Sequence, residues 1–185
     1  MKITYAAPTP ALQRLFWWLL LVNILFIIGA RFYFHPLTSG EIVRFEVAKE
    51  TSVAEHIIQE WKHAGKFDKA VQSIYIDYLF IILYTTGLSV ACVYLSRLTG
   101  HEILIRTGKV APWLLIVAAV CDVIENVAMT RSLLSVVSRW NVTLAYDMAA
   151  AKFSIIILCL LFILVCLIFW GSNKLFRGKN SFTFF

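Results

Sequence analysis

The sequence predicts an all-α membrane protein: a four-helix transmembrane bundle with a helical extracytoplasmic segment between its first and second spans. Three observations predict it. Hydrophobic residues make up 60% of the 185 and charged ones only 15%, with a mean hydropathy of +0.77, which is more apolar than a soluble core requires. Four windows, Leu12 to Ala30, Ile74 to Leu95, Ala111 to Thr130 and Ala149 to Trp170, each offer roughly 20 mostly apolar residues, enough helix to cross a ~30 Å hydrocarbon layer. Basic residues also flank these windows unevenly. With the N-terminus cytoplasmic, that side holds Lys2, Arg14, Arg97, Arg106, Lys109, Lys174, Arg177 and Lys179 against Glu102 alone, so both termini are expected inside. The expected setting is a bacterial cytoplasmic (inner) membrane. A net charge of +6 placed beside spans, with no long basic run, excludes nucleic acid as the natural partner and leaves the lipid bilayer.

The first span, LQRLFWWLLLVNILFIIGA, opens with Trp17 and Trp18, whose amphipathic rings suit the membrane interface. Trp113, Trp140, Tyr94, Tyr146 and Trp170 fall near the other predicted boundaries. The run is long for a signal-peptide core, and bulky Arg31, Phe32 and Tyr33 follow it, so it reads as a retained anchor. Asn23, mid-span, is expected to hydrogen-bond a neighbouring helix.

Residues 31–73 make a longer connection than two spans need, so structure of its own is expected there. Ser52 with Glu55 reads as a capping box, Val53, Ile57, Ile58, Trp61 and Ala64 recur at helical spacing, and Gly65 can end the turn. That predicts an amphipathic helix over about 53–64. Lying on the bilayer surface is its default placement; closing over the bundle's outer mouth is the alternative. Upstream, EIVRFEVAKE alternates Val43, Phe45 and Val47 with Arg44 and Glu46, a strand-like pattern without a partner, and the conformation of 36–52 stays open.

The connection SRLTGHEILIRTGKV is expected to be a short, basic, cytoplasmic loop, with Pro112 in the first turn of the third span. The tail GSNKLFRGKNSFTFF, basic and then aromatic, suits anchoring against anionic lipid. Cys92, Cys121, Cys159 and Cys166 all fall within spans without a CxxC pair, so they read as small packing residues. None of His35, His56, His63 and His101 is inside a span, which disfavours haem. There is no internal repeat, phosphate loop, HExxH or GxSxG.

The chemistry concentrates in the polar residues of the spans. An ionised carboxylate at bilayer depth costs about 2.5 to 3.5 kcal/mol even on insertion scales, so such groups need partners. In the third span Asp122, Glu125, Asn126 and Met129 follow the i, i+3, i+4, i+7 pattern and share one face. Asp77 and Tyr84 share a face of the second span, and Lys152 stands about one turn inside the fourth. Counting ~1.5 Å per residue brings these groups to matching depths in the outer half of the bundle. Three acids against one lysine leave an acidic excess that a proton, a cation or a positive ligand group would balance.

The segments IDYLFIILY, DVIENVAM and AAAKFS, carrying D-Y-x-F and D-x-x-E-N motifs, resemble a pattern in small, functionally uncharacterised bacterial four-span integral membrane proteins, some with an upstream FE pair. The resemblance covers roughly Val43 to Phe162. It implies the same topology and adds Glu46, in the pair Phe45–Glu46, to the candidate residues Asp77, Tyr84, Asp122, Glu125, Asn126 and Lys152; it carries no activity.

Three functions compete. The first is a protein binding or conducting a cation or proton, or binding a cationic amphiphile, at an acidic cavity, with a homo-oligomer compensating for the small number of helices. The second is a membrane-embedded enzyme acting on a lipid or isoprenoid, either with a divalent cation such as Mg²⁺ or Mn²⁺ on Asp77, Asp122 and Glu125, or by acid–base chemistry with Lys152 steadying negative charge. His56 and His63, on one side of the loop helix, could cap such a site. The third is an interhelical polar network that only holds the bundle together.

Overall fold

The computed structural model describes residues 7–179, with side chains described as far as residue 175. Lys2 and the last residues of the basic tail, 180–185, lie outside the described residues. The described chain is all-helical: α1 (Pro10–Phe34), α2 (Ser39–Glu46), α3 (Thr51–His63), α4 (Phe67–Thr99), α5 (Glu102–Leu134) and α6 (Arg139–Lys179). Four of these, α1, α4, α5 and α6, are long and apolar enough to cross a membrane, which makes the chain a multi-pass integral membrane protein.

Each long helix extends well past its predicted window. The expected loop between the second and third spans shrinks to Gly100 and His101, because Gly100 takes the left-handed conformation (φ 66°) that closes α4 and α5 begins at Glu102. Pro112 therefore lies inside α5 and not in its first turn; spanning helices tolerate interior prolines where neighbouring groups absorb the freed carbonyl. α6 likewise starts at Arg139, which puts Lys152 about 20 Å along it and not one turn from its end.

Helices α4, α5 and α6 form the bundle, each antiparallel to the next, with α1 laid against α4. The α5 face turned inward is a stripe of Ile105, Gly108, Ala111, Leu115, Ala118, Asp122, Glu125, Met129 and Ser132, small at one end and polar towards the other. At Gly108 a Cβ would come within 2.9 Å of the Cys92 carbonyl oxygen and would also clash with the Ser96 hydroxyl, so the absence of a side chain sets the α4–α5 approach. Three of the cysteines, Cys92, Cys159 and Cys166, are buried free thiols.

On α1 no residue is fully buried. Its half-buried positions Leu12, Phe16, Leu19, Asn23, Phe26 and Ala30 recur every three or four residues and meet α4 through Phe16 stacked on Tyr94 and Phe26 on Phe80. Tyr94, expected at a membrane boundary, is thus a packing residue, whereas Trp17, Trp18, Trp113 and Trp140 are exposed. Asn23 meets its expectation: its side-chain amide donates to the Leu83 carbonyl at 3.1 Å, close to Gly87.

The connection between α1 and α4 folds into a cap. The strand-like stretch is helical as α2, because Thr38 and Glu41 form the capping box: the Glu41 amide donates to Thr38 Oγ1 at 3.2 Å and the Thr38 amide to Glu41 Oε2 at 2.8 Å. The box expected at Ser52 and Glu55 does not form; α3 starts two residues earlier, with Glu50 at its N-cap and no side-chain cap. Gly65 ends α3 as expected, at φ 65°, with Lys66 donating to the Trp61 carbonyl and Gly65 to that of Lys62. The surface placement of this helix is corrected. Ile57, Ile58 and Trp61 share one core with Phe45 of α2, Ile74 of α4, Met129 and Leu133 of α5, and Val142 and Ala145 of α6, so α2 and α3 close one end of the bundle.

Candidate functional site

Beneath the cap, the seven candidate residues converge. α5 supplies Asp122, Glu125 and Asn126, 3%, 0% and 2% exposed respectively. Lys152 of α6 donates to Asp122 Oδ1 at 2.8 Å and to Glu125 Oε1 at 3.0 Å, and its Nζ lies 3.7 Å from Glu46 Oε2 of α2. The Tyr84 hydroxyl donates to Asp122 Oδ2 at 2.9 Å, and the Asn126 amide to Asp77 Oδ2 at 2.7 Å. Antiparallel registration explains the meeting: Asp77 faces Asn126 and Tyr84 faces Asp122 along the same α4–α5 seam.

The four carboxylates are not equivalent. Both oxygens of Asp122 accept a hydrogen bond, and both oxygens of Glu125 lie within 3.0 Å of the Lys152 ammonium. Glu46 has less. Its side chain is 12% exposed; its buried Oε2, like Glu125 Oε2, has no hydrogen-bond partner among the described residues, but it lies 3.7 Å from the Lys152 ammonium where Glu125 Oε2 lies at 2.9 Å. Burial pushes the Glu46 carboxyl up to about 6; the Lys152 charge opposes that rise, and Asp77 and Asp122 add to it. Glu41, at the other end of α2, is held below its ordinary value by the Lys66 ammonium at 2.8 Å.

A cavity of about 510 Å³ opens between α1, α2 and α4, and Glu46 and Asp77 are its acidic groups. Most of its wall is apolar, with Phe26, Ile27, Phe34, Leu37, Ile42, Val43, Ile74 and Phe80, while Arg31, His35, Thr38, Ser39 and Gly40 also line it. Asp122, Glu125 and Lys152 are not among the lining residues and pack behind it.

The metal expectation finds no support in the donor geometry. Among the described residues no three His, Cys, Asp or Glu side chains form a group that could hold a metal ion. Asp122 and Glu125 close on an ammonium, and Asp77 on an amide. His56 and His63 are exposed and do not reach the cluster; His56 pairs with Glu60 on its own helix. Sequence reasoning missed Arg31 and the start of α2 as cavity walls. The Thr38-x-x-Glu41 box was the available signal for the second of these. No protein-family model, curated protein or solved structure matches the chain.

Proposed function

We propose that the protein sits in a bacterial cytoplasmic membrane with both termini inside and the α2–α3 cap outside, and that it binds an amphiphile with a cationic headgroup in the cavity beneath the cap. The observation that carries this reading is an otherwise largely apolar cavity of about 510 Å³ whose two acidic groups meet no close ammonium among the described residues: Glu46 Oε2 lies 3.7 Å from Lys152 Nζ, and Asp77 accepts from the neutral Asn126 amide. Its volume lies in the range that holds a small ligand. The only lysine of the cluster is taken up by Asp122 and Glu125, so a ligand ammonium is the natural complement to Glu46 and Asp77. An amphiphile suits the wall better than a bare ion, which would leave the surrounding apolar surface unused and would need a ligand set the carboxylates do not form.

Two other readings remain ordered behind it. The interhelical glue is favoured for the buried half of the cluster, where Asp122, Glu125, Lys152 and Tyr84 hold one another. A lipid-modifying enzyme would use the same cavity, but the lining hydroxyl that meets a carboxylate, Thr38 on Glu41 at 2.9 Å, is committed to the α2 capping box. The test is titration of the detergent-purified full chain with dodecylamine by calorimetry. Binding should weaken by about tenfold or more in each of Glu46→Gln and Asp77→Asn, as expected for one charge-assisted contact. No binding by the native chain, or equal binding by both variants, would overturn the reading.

A further inference from the structure

The cavity has a second pole. Arg31, in the last turn of α1, lines it and is exposed, and no described acid pairs with it. Thr38, Ser39 and Gly40 line it at the start of α2, where the Ser39 and Gly40 amides precede the first intrahelical bond and have no acceptor among the described residues. The one acid of that turn, Glu41, already holds Lys66 and Thr38. Helix α2 therefore runs along the cavity from unpaired amides at one end to the Glu46 carboxylate at the other.

The geometry points to a zwitterionic occupant, a phospholipid with a primary-amine headgroup of the phosphoethanolamine kind. Its phosphate would lie against Arg31 and the first amides of α2, and its ammonium between Glu46 and Asp77. This inference rests on the cationic-headgroup reading above and adds the anion. The lengths agree: Ser39 to Glu46 rises about 10 Å along α2. A phosphate and an ammonium two carbons apart, with a hydrogen bond of roughly 3 Å at each end, bridge a comparable span. The level agrees too, because the pairing of Phe26 with Phe80 and of Tyr33 with Gln72 sets Arg31 within about one turn of Asp77. The source is the bilayer and not a free headgroup, since Phe26, Phe34, Ile74 and Phe80 offer a wall only an acyl chain would cover.

The experiment compares four probes on the detergent-purified full chain: lysophosphatidylethanolamine, lysophosphatidylglycerol, dodecylamine and phosphoethanolamine. Lysophosphatidylethanolamine should bind about tenfold more tightly than dodecylamine, and Arg31→Gln should abolish that margin, with dodecylamine binding no weaker than to the native chain. Arg31 is exposed, so the variant should fold as the native chain does. If lysophosphatidylethanolamine binds no better than dodecylamine while dodecylamine binding still depends on Glu46 and Asp77, the headgroup inference fails and the cationic reading stands. Binding of lysophosphatidylglycerol or of chain-free phosphoethanolamine as tight as that of lysophosphatidylethanolamine also overturns it. If dodecylamine does not bind at all, the cationic reading itself falls.

Discussion

The two halves of the polar cluster differ in one respect that matters, and it is not burial. Glu125 is fully buried and Asp122 nearly so, but each closes on the Lys152 ammonium, and Asp122 also on Tyr84. Glu46 and Asp77 are slightly less buried, face the cavity, and have a distant ammonium and a neutral amide respectively. The first half resembles a mortar between helices and the second a receptor. Placing charge in a low-dielectric interior costs several kcal/mol per ion whichever half it belongs to, so the pairing decides whether a charge serves the fold or remains available to a ligand.

Lys152→Met would break that contrast most severely. It strands two buried carboxylates, and loss of one partner of a buried ion pair costs about 3 to 5 kcal/mol. Reversible unfolding in mixed micelles should show it, and adding Asp122→Asn and Glu125→Gln should recover much of the loss. A Lys152→Met chain as stable as the native one would show that the paired half holds nothing.

A medium-sized effect concerns pH. Glu46 is raised to about 6 from an ordinary 4.5, so the folded chain keeps a proton that the unfolded chain releases in that interval. Its contribution to stability is complete below about 4.5, declines as the pH rises through 6, and is constant above. Attraction for a cationic headgroup has the opposite sign: it grows as Glu46 ionises through about pH 6. Comparison of the native chain with Glu46→Gln between pH 4.5 and 7.5 should therefore show the native affinity rising with pH and the variant's rise reduced. Identical profiles would place the titration elsewhere.

The smallest change sharpens the comparison. Thr38→Ala removes the hydroxyl of the α2 capping box, worth about 1 kcal/mol. Because α2 carries Glu46 and not the paired half, amphiphile binding should weaken more than global unfolding shifts. Equal effects on both would mean that cap and bundle behave as one unit.

Much of this was legible beforehand. The α5 stripe could be read because three acidic or amide residues share one face of a helix, and the matching depths followed from a constant rise per residue. The placement of α3 was not legible: Ile57, Ile58 and Trp61 form the same apolar face whether it meets lipid or the end of a bundle. Nor was α2, since eight residues are too few to separate a period of two from one of 3.6, and of Val43, Phe45 and Val47 only Phe45 is buried. Lys152 was expected too near a helix end because Arg139 to Asp147 looks like a loop until the cap supplies packing for Val142 and Ala145. Arg31 reads only as one of the bulky residues that follow the first span, because nothing in its neighbourhood in the chain announces a cavity wall.

The turn that joins α3 to α4 bears on how anything gets in. Only Ala64, Gly65 and Lys66 separate the two helices, the turn is closed by two backbone bonds, and Lys66 is tied to Glu41. A trapdoor needs slack at its hinge, and there is none here. The least buried wall is α1, which buries no residue completely and leans on α4 along most of its length. If the cavity binds an amphiphile as proposed, the route of arrival would be sideways, out of the plane of the lipids between α1 and α4, so a molecule already dissolved among acyl chains would reach the carboxylates without crossing water.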